Sequence, residues 1–186
     1  MKKFFVLFLI ILSCSSLCYA ERISNKGVES TYSMTLKIMH SLSQKEEFNK
    51  YLKDFRKLEY SKLSQFDDDT WGFYLTMNNS ECKIILKSTP DGYLNKIIIY
   101  GTHITPADMK LFDTTILTML LAMGISGGEL DYLMKNSKDF NTTKYLSASI
   151  SSVWINNISS TISLAKLKEY DGRYSAIISN LKDYKE

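Results

Sequence analysis

Residues 91–123 constrain the fold most, because this stretch joins a turn, a strand and a helix that are apolar enough to be buried. Asp91-Gly92 is a turn dipeptide, and the strand after it contains three consecutive isoleucines, Ile97 to Ile99. Thr105-Pro106 has the residue types that cap and begin a helix, and this helix carries an apolar run from Met119 to Met123. We therefore predict that this strand and helix form the core against which the other elements pack.

The N-terminus has the pattern of a secretory signal peptide. Lys2 and Lys3 form a basic region, and nine apolar residues follow, from Phe4 to Leu12. The next residues are more polar and end at Cys18-Tyr19-Ala20, with small residues at the two positions that a signal peptidase reads. Nine apolar residues are too few to span a bilayer, which needs about 20. We predict cleavage after Ala20 and export to the periplasm or the extracellular space.

A lipoprotein signal is the alternative, with Cys14 as the lipidated residue. Ile11-Leu12-Ser13-Cys14 loosely fits the motif that precedes lipidation. Leu12, however, stands where that motif prefers a small residue. Association with a membrane is expected only in this alternative.

The rest of the chain has the length of one ordinary domain. Cys82 is its only cysteine, so an exported chain would contain no internal disulfide. The whole chain has a net charge of +3, and loss of Lys2 and Lys3 brings it closer to neutral. Nucleic acid selects a strong basic excess and is therefore not the expected partner. We predict no cofactor, and we place the domain at residues 43–181, between a polar leader (residues 21–42, with a candidate short helix) and a frayed tail (residues 182–186).

Hydrophobic periodicity predicts an α+β domain with helices packed on antiparallel sheet. Ser43 and Glu46 have capping-box spacing, and a period of three to four predicts a helix from there to about Lys62. Further helices are predicted from Pro106 and over Gly127 to about Asn136. Six strands are predicted, at Thr70–Met77, Cys82–Lys87, Tyr93–Tyr100, Leu146–Ile155, Thr161–Lys168 and Tyr174–Ser179.

The resulting order is helix, three strands, two helices, three strands, and its two halves resemble each other. A tryptophan strand is followed by an Asn-Asn turn at Trp71 and Asn78, and again at Trp154 and Asn156. Asp-Gly turns then follow at Asp91 and, in the second half, at Asp171. Two pseudo-repeats are one interpretation, and chance recurrence of common turn dipeptides is the other.

The candidates for catalysis are few. His103 lies between the core strand and the core helix, where a neighbouring acid (Asp91 or Asp108) or Cys82 would complete an acid–base site. Neither His40 nor His103 has the spacing of a metal site, and we predict no metal. Each of these residues also has a purely structural interpretation.

Two other polar clusters have structural explanations. Ser126 lies in a glycine-rich loop like that of a serine protease, but the loop joins two helices and no catalytic-histidine motif precedes it, so Ser126 is interpreted as a helix cap. Asp67 to Asp69 lack the spacing of a calcium loop and are interpreted as a solvated linker.

Tyrosine is the strongest candidate for binding, because the chain contains 12 tyrosines and several fall at strand ends or opposite the apolar strand face. Rigid, amphipathic tyrosines on an outward sheet face suit a protein interface. Ordinary cross-strand pairing is the alternative explanation. The candidate binding residues are Tyr74, Tyr93, Tyr100, Tyr145 and Tyr174.

These observations favour an exported, non-enzymatic protein that binds another protein or an envelope component, as an inhibitor or immunity protein does. One alternative is a small envelope hydrolase that uses His103 with a nearby acid or Cys82. Another is a structural or assembly protein tethered through a lipidated Cys14.

Overall fold

The computed structural model describes residues 22–52, 55–101, 105–136, 147–168 and 173–180. Over these residues the chain is an α+β protein with four helices and a single antiparallel sheet of eight strands. The helices are α1 (Val28–Ser43), α2 (Glu46–Tyr51), α3 (Pro106–Met123) and α4 (Gly127–Asn136). The strands are β1 (Glu59–Tyr60), β2 (Ser64–Asp67), β3 (Thr70–Met77), β4 (Ser80–Ser88), β5 (Leu94–Gly101), β6 (Ser147–Ile155), β7 (Ser160–Lys168) and β8 (Tyr174–Asn180).

The sheet consists of two meanders that meet at their last strands. Its order is β1-β3-β4-β5-β8-β7-β6, with β2 also paired to β3. Strands β5 and β8 join the meanders through six paired positions, from Lys96↔Ser179 to Gly101↔Tyr174. The two halves of the chain therefore share one sheet and one core.

The register divides the sheet into an inner face, covered by helices, and an outer face. Residues directly opposite each other on neighbouring strands point to the same side of a sheet. One inner row runs Phe73–Ile84–Ile99–Ala176–Lys166. At one end of this row the Phe73 ring contacts Tyr32 of α1 edge-on, with 4.9 Å between ring centres. At the other end Lys166 Nζ lies 2.9 Å from Asp113 Oδ1 of α3.

Helix α3 is the central helix, as predicted, and its N-terminal cap is the predicted one. The Thr105 side chain accepts a hydrogen bond from the Asp108 backbone N–H, and the Asp108 carboxylate accepts one from the Thr105 N–H, which satisfies two free donors at the helix start. Gly124 ends the helix at φ 94°, a left-handed conformation that glycine adopts without steric cost. The helix is buried on more than its sheet-facing side, because α1 packs beside it through Thr35 and Met39.

The segment predicted to be a polar leader belongs to the fold. Residues 28–43 form α1, and Ile23 and Ser24 ahead of it are buried. Ser24 Oγ donates to the Met123 carbonyl, and Lys26 Nζ donates to the Ala122 carbonyl at 2.8 Å. A lysine at the C-terminal end of α3 also interacts favourably with the helix dipole. The described part of residues 21–42 is thus anchored to the core helix.

The helix predicted from Ser43 to Lys62 is wrong. Ser43 closes α1, and its hydroxyl donates to the His40 carbonyl instead of capping the next helix. Helix α2 has only six residues, and the chain then forms a 3₁₀ turn at Phe55–Lys57 and pairs with the sheet as β1. Leu52 and Phe55, two apolar positions of the predicted helix, are buried. They lie on a bent chain, however, and not on one continuous helix.

The predicted order of elements also differs from the structure. Two helices and five strands precede α3, because β1 and β2 add two short strands on the open side of β3. The six predicted strands are present within about two residues at each end. Among the described residues no helix is long and apolar enough to cross a membrane. The predicted signal segment at residues 1–20, Tyr145 and the predicted tail at residues 182–186 lie outside the described residues.

Candidate functional site

The outer face of the sheet carries an apolar row that crosses six strands. Pairing aligns Gly72 of β3 with Ile85, Ile85 with Ile98, and so on to Ile150 at the far edge. The outer face of an antiparallel sheet that packs on one side only is usually polar. This row, which we call the outer apolar row, consists of Gly72, Ile85, Ile98, Ile177, Ala165 and Ile150.

Phe66 of β2 extends this apolar surface over the first position of the row. Its ring lies so close to Gly72 that any side chain there would collide with it. Lys83 Nζ sits 5.7 Å from the centre of the Phe66 ring and 5.9 Å from that of Tyr74. The ammonium thus bridges two aromatic rings on the outer face, a contact that a positive charge makes favourably with a ring face.

Polar and aromatic residues border the outer apolar row on both sides. On one side, the register aligns Tyr74, Lys83 and Tyr100. On the other side, Lys87 pairs with Lys96. The outward charged side chains of β4 and β5 are therefore three lysines and Glu81. Asp67 of β2 lies near enough to Lys87 for the lysine charge to help lower the pKa of the Asp67 carboxyl group.

Solvent reaches this surface unevenly. Ile85, Ile98 and Ile177 are half-buried between their neighbours, whereas Ile150 is 53% exposed and Trp154, also on the outer face of β6, is 54% exposed. Scattered exposed apolar side chains need no explanation, but a contiguous set marks an interaction surface. Gly72 and Ala165 are buried, so the accessible apolar side chains form two groups, Ile85, Ile98 and Ile177 in the middle of the sheet and Ile150 with Trp154 at the β6 edge. Tyrosine and lysine border the middle group.

The structure separates the five tyrosines predicted to bind. Tyr74 and Tyr100 lie on the outer face beside Lys83, as the strand period predicts. Tyr93 lies just before β5, with the Arg22 guanidinium 4.8 Å from its ring centre. Tyr145 lies outside the described residues.

Tyr174 is buried, contrary to the expectation of an outward tyrosine. It opens β8 on the inner face, is 1% exposed, and contacts the Phe112 ring edge-on at 4.7 Å between ring centres. Gly101 opposite provides the space for its ring. Burial raises the pKa of the Tyr174 phenol, and nearby Cys82 and Asp108 raise it further. A core residue of this kind cannot contact a partner.

Cys82 is buried in the same region, with 1% of its surface exposed. Burial raises the pKa of the thiol to about 12, although a hydrogen bond with Thr115 acts in the opposite direction. At neutral pH the group is therefore a protonated thiol without solvent access. Reactive cysteines are thiolates in partly exposed, electropositive surroundings, so the position of Cys82 favours a role in packing.

The other candidates for chemistry are dispersed. His103 lies outside the described residues, Asp91 is exposed in the turn before β5, and Asp108 is engaged in the cap of α3. Asp67 ends β2, where the Thr70 hydroxyl lowers the pKa of its carboxyl group. No group of three or more His, Cys, Asp or Glu side chains suited to a metal occurs in the described parts of the chain.

Two of the hollows in the described part of the chain lie beside α3. One of about 620 Å³ adjoins the start of α3 and includes Tyr51, Asn78 and Thr105. Another of about 380 Å³ lies between α2, α3 and α4 and is lined by the apolar Phe48, Leu117 and Met134 together with polar residues such as Glu47 and Asp113. Lys110 partly closes the first hollow, since its Nζ donates to the Tyr51 carbonyl and lies over the Tyr51 ring.

Comparisons with protein-family models, with curated proteins and with solved structures give no match to this chain. Function is therefore inferred from the geometry of the chain itself. The sequence predicts Tyr74 and Tyr100 as candidate binding residues, but it does not predict the outer apolar row. The outward position of Ile98 could be found only from the strand period within Ile97 to Ile99.

Proposed function

We propose that this chain is an exported, non-enzymatic binding protein that docks another protein on the outer face of its sheet. The observation that carries the proposal is the outer apolar row bordered by Tyr74, Tyr100 and lysines. Interface cores combine apolar and aromatic side chains with a polar border. A protein of the inhibitor or immunity type acts through a contact surface, which this domain offers. The one thiol that the structure describes is buried and protonated, so it does not favour chemistry instead.

The charge of the border favours a partner with an acidic rim. Lys83, Lys87 and Lys96 flank the apolar centre, and Asp67 balances part of the charge at Lys87. Complementary charges around an interface increase the rate of association and select against partners of the wrong sign. We therefore infer a partner surface with an apolar centre and several carboxylates around it.

Site-specific photo-crosslinking in the native cellular compartment tests the proposal. A photoreactive phenylalanine analogue at Tyr74 or Tyr100 should crosslink to one protein. The matched control is Tyr132, which is 52% exposed but lies on α4, on the opposite side of the sheet. Equal crosslinking from Tyr132, or no crosslinks from Tyr74 and Tyr100, contradicts docking on the outer face.

Substitutions then separate binding from catalysis once the crosslinked protein is identified. Tyr100→Ala should weaken its binding about thirtyfold, since truncation of an aromatic hot spot costs at least about 2 kcal/mol. His103→Gln and Cys82→Ser should leave binding unchanged. Loss of biological activity in a folded His103→Gln protein, with full activity in Tyr100→Ala, would favour the hydrolase.

Export is part of the proposal, and the N-terminus of the protein isolated from cells tests it. Sequencing should begin at Glu21. A lipid-modified Cys14 at the start would favour the tethered structural protein instead. An intact Met1 would contradict both routes.

We also propose that the two meanders are pseudo-repeats. The sheet order supports this, because β3-β4-β5 and β6-β7-β8 are each consecutive and meet through their last strands, as an approximate two-fold axis between β5 and β8 would require. In an experimental structure, the strands of the two meanders should superpose within about 3 Å, which is less than the spacing of adjacent strands. A larger deviation would contradict a common origin.

A further inference from the structure

The two edges of the sheet differ in how they are protected from pairing with another strand. At one edge, β1 has two residues, and β2 has four with a bulge between Gln65 and Asp67. Short, bulged and charged strands are the usual means by which proteins prevent edge-to-edge association. At the other edge, β6 has nine residues and pairs with β7 at every position from Ser147↔Lys168 to Ile155↔Ser160.

Strand β6 has none of these protective features. Its sequence, SASISSVWI, contains no charge and no proline. β7 is its only neighbour among the described strands. Its two large outward side chains, Ile150 and Trp154, are each more than half exposed. A long, regular, uncharged edge with exposed apolar residues is suited to accept a further strand.

The order of side chains on β6 indicates which strand that is. In an antiparallel pair of identical strands related by a two-fold axis perpendicular to the sheet, the outer faces stay on the same side. If Ser152 lies on this axis, Ile150 of each copy stands opposite Trp154 of the other. A β-branched residue opposite an aromatic one is a favourable cross-strand pair. Ser151 then stands opposite Val153, and no pair brings like charges together.

We propose that β6 is a dimerisation edge, which pairs antiparallel with β6 of a second copy of this chain around a two-fold axis at Ser152. The inference is independent of the proposed function, since it concerns the edge and not the partner protein. It joins the outer apolar rows of the two copies, because Ile150 ends the row at this edge. Two docking surfaces then lie side by side on one extended sheet.

Charge pairing at Ser152 tests both the dimer and its register. The purified protein should dimerise as its concentration rises from about 1 µM to about 1 mM, the range of modest affinity. Ser152→Lys and Ser152→Asp should each weaken the dimer at least tenfold, because like charges face each other across the axis. An equimolar mixture of the two variants should dimerise again. Sedimentation velocity measures all four samples.

The control is Thr161→Lys, which adds the same charge to the outer face one strand further in, opposite Trp154 within the same copy. It should leave dimerisation unchanged. A wild-type protein that stays monomeric at about 1 mM overturns the proposal. So does a Ser152→Lys protein that dimerises like the wild type, or a mixture that fails to restore the dimer.

A smaller substitution provides a second measurement in case the charged variants fail to fold. Ser152→Cys is nearly isosteric, and directly opposed residues of an antiparallel pair lie within the Cα separation that a disulfide requires. Mild oxidation should give a covalent dimer from Ser152→Cys and not from Thr161→Cys, while the buried Cys82 stays reduced. Equal crosslinking of both variants, or crosslinking of neither, overturns the register.

Discussion

Cys82 shows how its position in the fold determines the chemistry of a single residue. It lies on the inner face of β4, opposite Leu75 on one side and Gly101 on the other. The same thiol in a cleft, beside an imidazole, would be a candidate nucleophile. Here burial raises its pKa to about 12 and keeps it protonated.

This pKa predicts a dependence of stability on pH. Between pH 9, the ordinary value for the thiol, and pH 12, the unfolded chain releases the Cys82 proton while the folded protein retains it. The folded state then binds more protons, so the free energy of unfolding falls as pH rises through this window. Replacement by Cys82→Ser removes this contribution, which is fully present below pH 9.

Urea unfolding of the wild type and of Cys82→Ser from about pH 7 to about pH 11 measures it. The difference in unfolding free energy should stay constant up to about pH 8.5 and then shrink. Lysines and tyrosines ionise in both proteins, so their contribution to the unfolding free energy cancels in the difference. A difference that is constant over the whole range would mean that the thiol is accessible, and would reopen the hydrolase alternative.

At the scale of elements, helix α3 is the part of the chain whose role follows most directly from its residues. Met119 and Leu120 are fully buried, and the buried positions extend around the helix because the sheet lies on one side and α1 on another. Leu121, on the same turn, is only partly buried. These neighbours offer a matched comparison within one helix.

Leu120→Ala should lower the free energy of unfolding by about 2–5 kcal/mol, through the loss of buried methyl groups and the cavity that remains. Leu121→Ala, with the same change in composition, should cost distinctly less. Chemical denaturation of both variants measures the difference. Equal costs, or an unchanged midpoint for Leu120→Ala, would mean that this face of the helix is not in the core.

The sequence predicted elements where local signals agreed and failed where distant contacts decided the outcome. The Thr105 cap and the alternation from Trp71 to Met77 are local, and both elements are present. Helix α1 is longer than the sequence predicts, because its buried face includes the small polar residues Thr31 and Thr35. A search for apolar positions treats such residues as surface residues. The Thr35 hydroxyl donates to Met119 Sδ of α3, 84 residues further along the chain, and no local pattern can show such a contact.

The candidate site shows the same limit. The strand period correctly placed Tyr74 outward, but it could not show that Tyr174 points inward, because nothing local distinguishes the two faces of β8. The outer apolar row depends on the register of strands that are remote in sequence, such as Ile98↔Ile177. A single sequence contains the residues of this row but not their alignment.

At the scale of the whole molecule, two meanders share one sheet through β5 and β8. Their junction pairs residues that lie far apart in sequence, and the inner row from Phe73 to Lys166 crosses both halves. Neither meander has a separate core, because α3 contacts Tyr174 and Lys166 in the second half while its neighbour α1 contacts Phe73 in the first. We therefore expect the described domain to unfold as one cooperative unit.

The two tryptophans provide a test, because Trp71 lies in the first meander and Trp154 in the second. Trp154→Phe leaves fluorescence that reports on the first half, and Trp71→Phe leaves fluorescence that reports on the second. In each variant, the urea midpoint from fluorescence should coincide with the midpoint from circular dichroism, as two-state unfolding requires. Introducing Leu164→Ala, in the second meander, should lower the midpoint reported by Trp71 as much as the one reported by Trp154. Two separate transitions would show that the junction between β5 and β8 is too weak to couple the halves.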